Sequence, residues 1–204
     1  PQKAFLACTA RTKAILPVHY AGLALDMEEV AQAAWAHGGI LIEDAAPATG
    51  SRYPSGAMVG SRAGGLCCFS FGPEKVMTTG YGGMITTGRQ DIAERLRIII
   101  RQGHDRQGLD RQSPHRDQRL PGINGAMGEI QAAIGLVQLE RLDERIERRR
   151  KMAGVYRDAL LGAPGVDLPP WADQETNGAL FPVRLLRRQK TIEALENDGI
   201  ATSI

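Results

Sequence analysis

Three consecutive stretches near the start of the chain decide the fold: AILPV at residues 14–18, DMEEVAQAAWAHGG at 26–39 and ILIED at 40–44. The first and third are short apolar runs of the kind that form buried strands. In the second, apolar residues recur at helical spacing, Asp26 and Glu29 fit a capping box, and a glycine pair ends the pattern. We therefore predict a strand–helix–strand unit with parallel strands, in which Pro17 ends or bends the first strand.

The rest of the chain continues this alternation. Further strands are predicted at residues 66–71, 83–87 and 180–185, and further helices at 91–101, from 127 onward and at 191–197. The polar stretch 102–120 predicts a surface loop. Strands that alternate with helices favour an α/β fold with a mostly parallel sheet.

Composition and charge exclude several classes of protein. The chain has 204 residues, of which 43% are hydrophobic and 24% charged, as in an ordinary globular protein. Its 25 basic and 23 acidic side chains give a net charge of +2, so we expect no polyanionic partner such as a nucleic acid. The three cysteines (Cys8, Cys67 and Cys68) lack the spacing of a disulfide framework or a metal site.

Targeting signals are also not visible. The sequence contains neither a signal peptide nor an apolar stretch long enough for a membrane span, so we expect a cytoplasmic protein without membrane contact. It begins at Pro1 rather than at Met and ends at Ile204 directly after a helical pattern. We therefore expect an internal segment of a longer protein.

The carboxyl ends of the predicted strands are where such a sheet binds its ligand. Asp44 ends one strand and Lys75 follows another, so a carboxylate and an amine are predicted at the same edge. A lysine amine can form a Schiff base with a carbonyl cofactor. Pyridoxal phosphate (PLP) also requires a carboxylate for its pyridine nitrogen and donors for its phosphate, for which Ser70 is a candidate.

Each of these residues also has an ordinary interpretation. An Asp at a strand end is often a turn former, and a lysine after a strand is usually solvated. The glycines of residues 78–83 are also typical of a simple turn. Residue types alone therefore leave both interpretations open.

Several longer motifs occur in a fixed order. They are TKAILPVH (12–19) followed by DM (26–27), IEDAA (42–46), CFSFGPEK (68–75), TTGYGGM (78–84), GIN (122–124), IQAAIGLVQLERLDE (130–144) and RRRKMAGVY (148–156). Together they resemble the DegT/StrS-type sugar aminotransferases, which have the aspartate-aminotransferase (type I) PLP fold. The resemblance implies a PLP-binding large domain over residues 1–138, with its N-terminal part missing. Residues 139–204 would form linking helices and part of a smaller C-terminal α+β domain.

The resemblance also implies roles for individual residues. Lys75 matches the lysine that forms the Schiff base with PLP and moves a proton during the reaction. Asp44 matches the aspartate that pairs with the pyridine nitrogen, and Ser70 matches a phosphate-binding serine. We also predict that Ala46, in the IEDAA motif, is a cofactor-binding residue. Asn124 matches an asparagine that reaches the cofactor phosphate of a neighbouring subunit, which implies a homodimer with composite sites.

The reaction that the resemblance implies is a ping-pong transamination. An amino acid, usually glutamate, gives its amino group to PLP, and the amino group then passes to a keto group of a nucleotide-linked deoxysugar. We expect a role in a cell-envelope polysaccharide or secondary-metabolite pathway.

Four positions depart from the family pattern, and they bear on the substrate and on activity. Pro47 stands where the family commonly has Gln or His, and Tyr81 where it commonly has Glu. Gly125 and Ala126 stand where an aromatic residue and an arginine are common. None of these departures removes Lys75.

Other functions remain to be compared with transamination. A sugar dehydratase of the same fold carries His at the position of Lys75, so the lysine argues against it. The third alternative is a cofactor-bound regulator or DNA-binding protein. The sequence shows no helix-turn-helix motif or strongly basic face that would support it. Basic residues between 101 and 119 have two interpretations, a contact with a nucleotide diphosphate or a solvated loop, and the solvated loop is favoured. For His19 we expect a structural or substrate-side role.

Overall fold

The computed structural model describes residues 6–62, 64–105, 118–170 and 176–202. Its strands are β1 (Ala14–Ile15), β2 (Ile40–Asp44), β3 (Leu66–Ser70), β4 (Gly83–Thr87), β5 (Val166–Asp167) and β6 (Arg184–Leu185). Its helices are α1 (Glu28–Ala36), α2 (Gln90–Ile99), α3 (Glu129–Glu140), α4 (Leu142–Leu160) and α5 (Arg188–Asn197).

The main sheet has the strand order β1-β2-β3-β4. The first three strands are mutually parallel, and β4 is antiparallel to β3. Strands β5 and β6 form a separate antiparallel pair. The predicted α/β fold with a mostly parallel sheet is therefore confirmed. The division at residue 138 falls within α3 and stays a prediction.

The predicted strand–helix–strand unit is present as β1, α1 and β2. Strand β1 stops at Ile15, two residues before Pro17, as the missing N–H of proline favours. The predicted capping box at Asp26 is wrong, because Met27 occupies the N-cap position and no side chain caps α1. Asp26 instead accepts a hydrogen bond from the Glu28 N–H (3.1 Å), closing a turn just ahead of the helix.

One helix and one strand differ clearly from their predicted extent. The helix expected from residue 127 begins at Glu129 and is interrupted at Arg141, so it becomes α3 and α4. The strand expected at 180–185 is reduced to β6, because its partner β5 offers only two residues for pairing. Of the loop expected at 102–120, residues 106–117 lie outside the described part of the chain.

The core has two parts. The first lies between α1 and the sheet and includes Met27, Ala31, Leu41 and Cys67. The second joins the segment after β3 to α4 and consists of Phe71, Val76, Met77, Leu142 and Ile146. Burial of these apolar side chains fixes the segment that carries Lys75 against a long helix.

The Cys67 thiol faces the first part of the core and is buried. Burial raises the pKa of Cys67 to about 12, with a further contribution from the Glu43 carboxylate. Burial and the Asp44 carboxylate likewise raise the pKa of Cys68. Both thiols therefore keep their protons at neutral pH and are poor nucleophiles.

Asn177 connects the C-terminal part of the chain to the segment after β2. Its side chain is fully buried, and its Nδ2 donates to the carbonyl oxygens of Pro47 (2.8 Å) and Thr49 (2.9 Å). The space beside it requires a glycine at position 22, where φ is +82° and an added Cβ would meet the Asn177 amide. This amide therefore holds two distant segments together.

Within the described residues, no helix combines the length and the apolar character that crossing a membrane requires. The cytoplasmic location stays a prediction.

Replacement of Asn177 by Ala leaves two buried carbonyls without a donor, so we expect the free energy of unfolding to fall by about 2 kcal/mol. Urea denaturation followed by circular dichroism measures this loss. The exposed Asn197 at the end of α5 provides the control, since Asn197→Ala removes no buried contact. Equal stability of the two variants would contradict the account.

The raised pKa of Cys67 predicts slow alkylation. At mildly alkaline pH, iodoacetamide should label Cys67 roughly 1,000-fold more slowly in the folded protein than in urea. The reason is that the thiolate population falls about tenfold for each pH unit by which the pKa is raised. Peptide mass spectrometry measures both rates on the same cysteine, so the unfolded chain is its own control. Similar rates in both states would show that the thiol is neither buried nor protonated.

Candidate active site

The carboxyl end of β2 carries Asp44, whose main chain is held on both sides. Its N–H donates to the Pro17 carbonyl oxygen (2.9 Å), and its own carbonyl accepts from the His19 N–H (3.0 Å). The carboxylate Oδ1 accepts from the Ala46 N–H (3.0 Å). No described residue donates to Oδ2. Asp44 therefore presents one carboxylate oxygen that is still available to a ligand.

Ser70 ends the neighbouring strand on the same face of the sheet as Asp44. Asp44 pairs in register with Cys68, and Ser70 lies two residues further along β3. A rise of about 3.3 Å per residue and a strand spacing of about 4.8 Å place the two Cα atoms about 8 Å apart. The Ser70 Oγ accepts a long hydrogen bond from the Gly72 N–H (3.4 Å), which leaves its own proton free to donate.

Lys75 lies in the turn that follows β3. Its N–H donates to the Gly72 carbonyl oxygen (3.2 Å), and its neighbours Val76 and Met77 are buried against α4. The side chain is half-buried, yet no described residue accepts a hydrogen bond or forms an ion pair with its Nζ. The Lys75 amine is therefore available to a ligand.

The glycine-rich turn lies next to Lys75. The Thr78 Oγ1 donates to the Phe71 carbonyl oxygen (3.1 Å), and the Phe71 N–H donates to the Gly82 carbonyl oxygen (2.9 Å). Gly82 has a φ of +151°, and an added Cβ would lie 2.8 Å from the Thr79 Oγ1, so only glycine fits. Tyr81 projects from this turn with 82% of its surface exposed.

Asn124 is not gathered with the other predicted site residues. Its segment pairs with the end of α2 through a bridge to Arg101, and the Gly125 N–H donates to the Ile100 carbonyl oxygen (2.9 Å). The Asn124 side chain is exposed and makes no contact with Asp44 or Lys75 in the described part of the chain. Its predicted contact with a neighbouring subunit stays a prediction.

An open groove of about 680 Å³ adjoins Lys75. Arg141, just before α4, and Arg145, Arg148 and Arg149 of α4 line it, together with a single acidic residue, Glu144. Further along, the ring of Tyr156 stacks on Phe181, with ring centroids 5.7 Å apart. The groove is therefore cationic near the lysine and aromatic further along.

Sequence reasoning did not identify the cluster behind Asp44. His19, Glu43 and Tyr53 are buried together, with the His19 Nε2 3.0 Å and the Tyr53 hydroxyl 2.6 Å from the Glu43 Oε2. The ring of His19 is fully buried, which favours its structural interpretation. The alternation of a strand places Glu43 on the face opposite Asp44, a signal that was available from the sequence.

Comparisons with known proteins agree with this arrangement. The chain matches the DegT/DnrJ/EryC1/StrS aminotransferase family over residues 1–204. It is 44% identical over 154 residues to GDP-perosamine synthase of Caulobacter vibrioides, covering 74% of this chain and 39% of that protein. It is 38% identical over 173 residues to the spore coat polysaccharide biosynthesis protein SpsC of Bacillus subtilis, covering 83% of this chain and 44% of that protein.

A solved structure gives the same result. S. venezuelae DesV in complex with a ketimine intermediate is 36% identical and superposes with a TM-score of 0.83, covering 97% of this chain and 51% of that chain. The chain thus spans about half the length, or less, of the relatives it matches. The resemblance inferred from the ordered motifs is confirmed: the chain belongs to the DegT/DnrJ/EryC1/StrS aminotransferase family.

Proposed function

We propose that the whole protein is a PLP-dependent aminotransferase that transfers an amino group, with glutamate as donor, to a keto group of a nucleotide-linked sugar. The observation that carries this proposal is the half-buried, unpartnered amine of Lys75, which follows Ser70 closely in sequence at the sheet edge where β2 ends at Asp44. Membership of the aminotransferase family supports it. The names of GDP-perosamine synthase and SpsC favour a sugar substrate and a polysaccharide pathway.

The residues at this edge of the sheet fit PLP. The free oxygen of Asp44 suits a protonated pyridine nitrogen, and the Ser70 hydroxyl suits a phosphate. Their separation of about 8 Å along the sheet is comparable with the length of the cofactor. Lys75 would hold the aldehyde carbon, and Ala46 would border the ring. When bound, PLP supplies an electron sink for negative charge on the substrate carbon next to nitrogen.

The side chains of this chain then have separate tasks. The Nζ of Lys75 would hold the cofactor and, once the incoming amino group has displaced it, would serve as the base that removes a proton from the substrate carbon. The Asp44 carboxylate would hold the proton on the pyridine nitrogen. The Ala46 N–H keeps that carboxylate in place through its bond to Oδ1.

The substrate is proposed to enter along the groove beside Lys75. Arg141 and the three groove arginines of α4 match the charge of a nucleotide diphosphate, and the Tyr156–Phe181 pair offers an aromatic surface. A homodimer is proposed because Asn124 is exposed and matches the family's asparagine that reaches the cofactor phosphate of a neighbouring subunit.

Replacement of Lys75 tests its attachment to PLP. The full-length protein with PLP should show a visible absorption band that glutamate bleaches, and Lys75→Ala should abolish that band. Lys75→Arg keeps the charge but forms no Schiff base, so it should also lack the band. Lys151→Ala, at an exposed position on α4, provides the control and should retain it. A band that persists in Lys75→Ala would sink the assignment of Lys75.

Replacement of Asp44 by Asn tests the pyridine contact. The amide oxygen of Asn still accepts the Ala46 N–H, but the negative charge is lost, so we expect glutamate to bleach the band on the order of 100-fold more slowly. Stopped-flow absorption measures this rate. Asp26→Asn is the matched control, because Asp26 also accepts a backbone N–H two residues ahead but lies outside the site. A rate unchanged by Asp44→Asn would remove Asp44 from the mechanism.

A further inference from the structure

The buried cluster of His19, Glu43 and Tyr53 brings together three separate segments of the chain. His19 follows β1, Glu43 belongs to β2, and Tyr53 lies in the connection between β2 and β3. Their exposed fractions are 0%, 1% and 6%. The rings of His19 and Tyr53 meet edge to face, with centroids 5.9 Å apart. A carboxylate in such surroundings requires donors from its neighbours.

The hydrogen bonds determine where each proton lies. The Leu25 N–H donates to the His19 Nδ1 (3.1 Å), so this nitrogen carries no proton. The proton of a neutral imidazole is then on Nε2, which donates to the Glu43 Oε2. The Gly60 N–H donates to the Tyr53 oxygen (3.1 Å), and the Tyr53 hydroxyl donates to the same Glu43 oxygen.

The cluster is therefore a buried anion with two neutral donors. Burial, and next the hydrogen bond to Glu43, raise the pKa of Tyr53 well above its ordinary value, so the hydroxyl keeps its proton. Both donors contact a single oxygen of Glu43. The amide of a glutamine at position 43 would still offer one oxygen to both donors but would carry no charge. Glu43→Gln therefore separates the role of geometry from that of charge.

His19 connects this cluster to the active site. Its side chain contacts Glu43, while its main-chain N–H donates to the Asp44 carbonyl oxygen (3.0 Å). The two consecutive carboxylates point to opposite faces of β2. Any rotation of the strand end that moves Glu43 therefore also moves the Asp44 carboxylate.

We propose that His19, Glu43 and Tyr53 are positioning residues that fix the direction of the Asp44 carboxylate toward the pyridine nitrogen of PLP. The inference rests on the proposed function, because it requires PLP beside Asp44. The cluster acts through the geometry of β2, and its residues do not contact the cofactor. Loss of the cluster is expected to leave Asp44 poorly paired with the pyridine nitrogen.

The test uses the full-length protein loaded with PLP that carries ¹⁵N at the pyridine nitrogen. The ¹⁵N resonance reports whether that nitrogen is protonated, and a titration of the apoprotein gives the dissociation constant for PLP. Tyr53→Phe and Glu43→Ala should shift the resonance toward the unprotonated position and weaken PLP binding about tenfold. Glu43→Gln should restore both properties, because its amide oxygen accepts both donors.

Controls separate positioning from stability. Tyr20→Phe removes an exposed hydroxyl outside the cluster and should leave the resonance unchanged. The thermal unfolding of each apoprotein reports on the fold, and Tyr53→Phe remains informative if Glu43→Ala does not fold. The inference would be overturned if Tyr53→Phe lowered the thermal stability but kept the ¹⁵N resonance and the PLP dissociation constant of the unmodified protein. A parent protein that binds no PLP would instead overturn the proposed function, and the inference with it.

Discussion

The parallel pairing of β2 with β3 is the constraint on which the candidate site depends. Because Asp44 pairs with Cys68, the side chains of Asp44 and Ser70 share one face, while Glu43 and Cys67 share the other. A shift of the register by one residue would exchange these faces and place Glu43 at the site. The buried hydrogen bonds of Glu43 oppose such a shift, because they require that carboxylate to lie in the core.

The second constraint comes from contacts that are distant in sequence. Asn177 closes the segment after Asp44 from a position 130 residues away from Pro47, and Leu142 and Ile146 of α4 hold the segment after Ser70. Both Asn177 and α4 belong to the part of the chain that follows the four strands of the main sheet. The edge of the sheet at the carboxyl ends of β2 and β3 is thus fixed by the register of these two strands and by the C-terminal segments that pack on it.

The sequence allowed the local features to be predicted and left the distant ones open. Hydrophobic periodicity located β2 and α1, because each is buried in a regular pattern. It overestimated the strand before Leu185, since strand length depends on a partner that periodicity does not reveal. The roles of Lys75 and Asp44 came from ordered motifs. The contacts of Tyr53 and Asn177 could not be predicted, because they join segments that meet only in the folded chain.

The central claim is that Lys75 is the residue that binds PLP covalently. Reduction of the PLP-loaded, full-length protein with borohydride converts a Schiff base into a stable secondary amine, and peptide mass spectrometry then locates the pyridoxyl group. The account predicts the modification on the peptide that contains Lys75, at a stoichiometry near one per chain. Modification of another lysine, or none above the level of surface labelling, would contradict it.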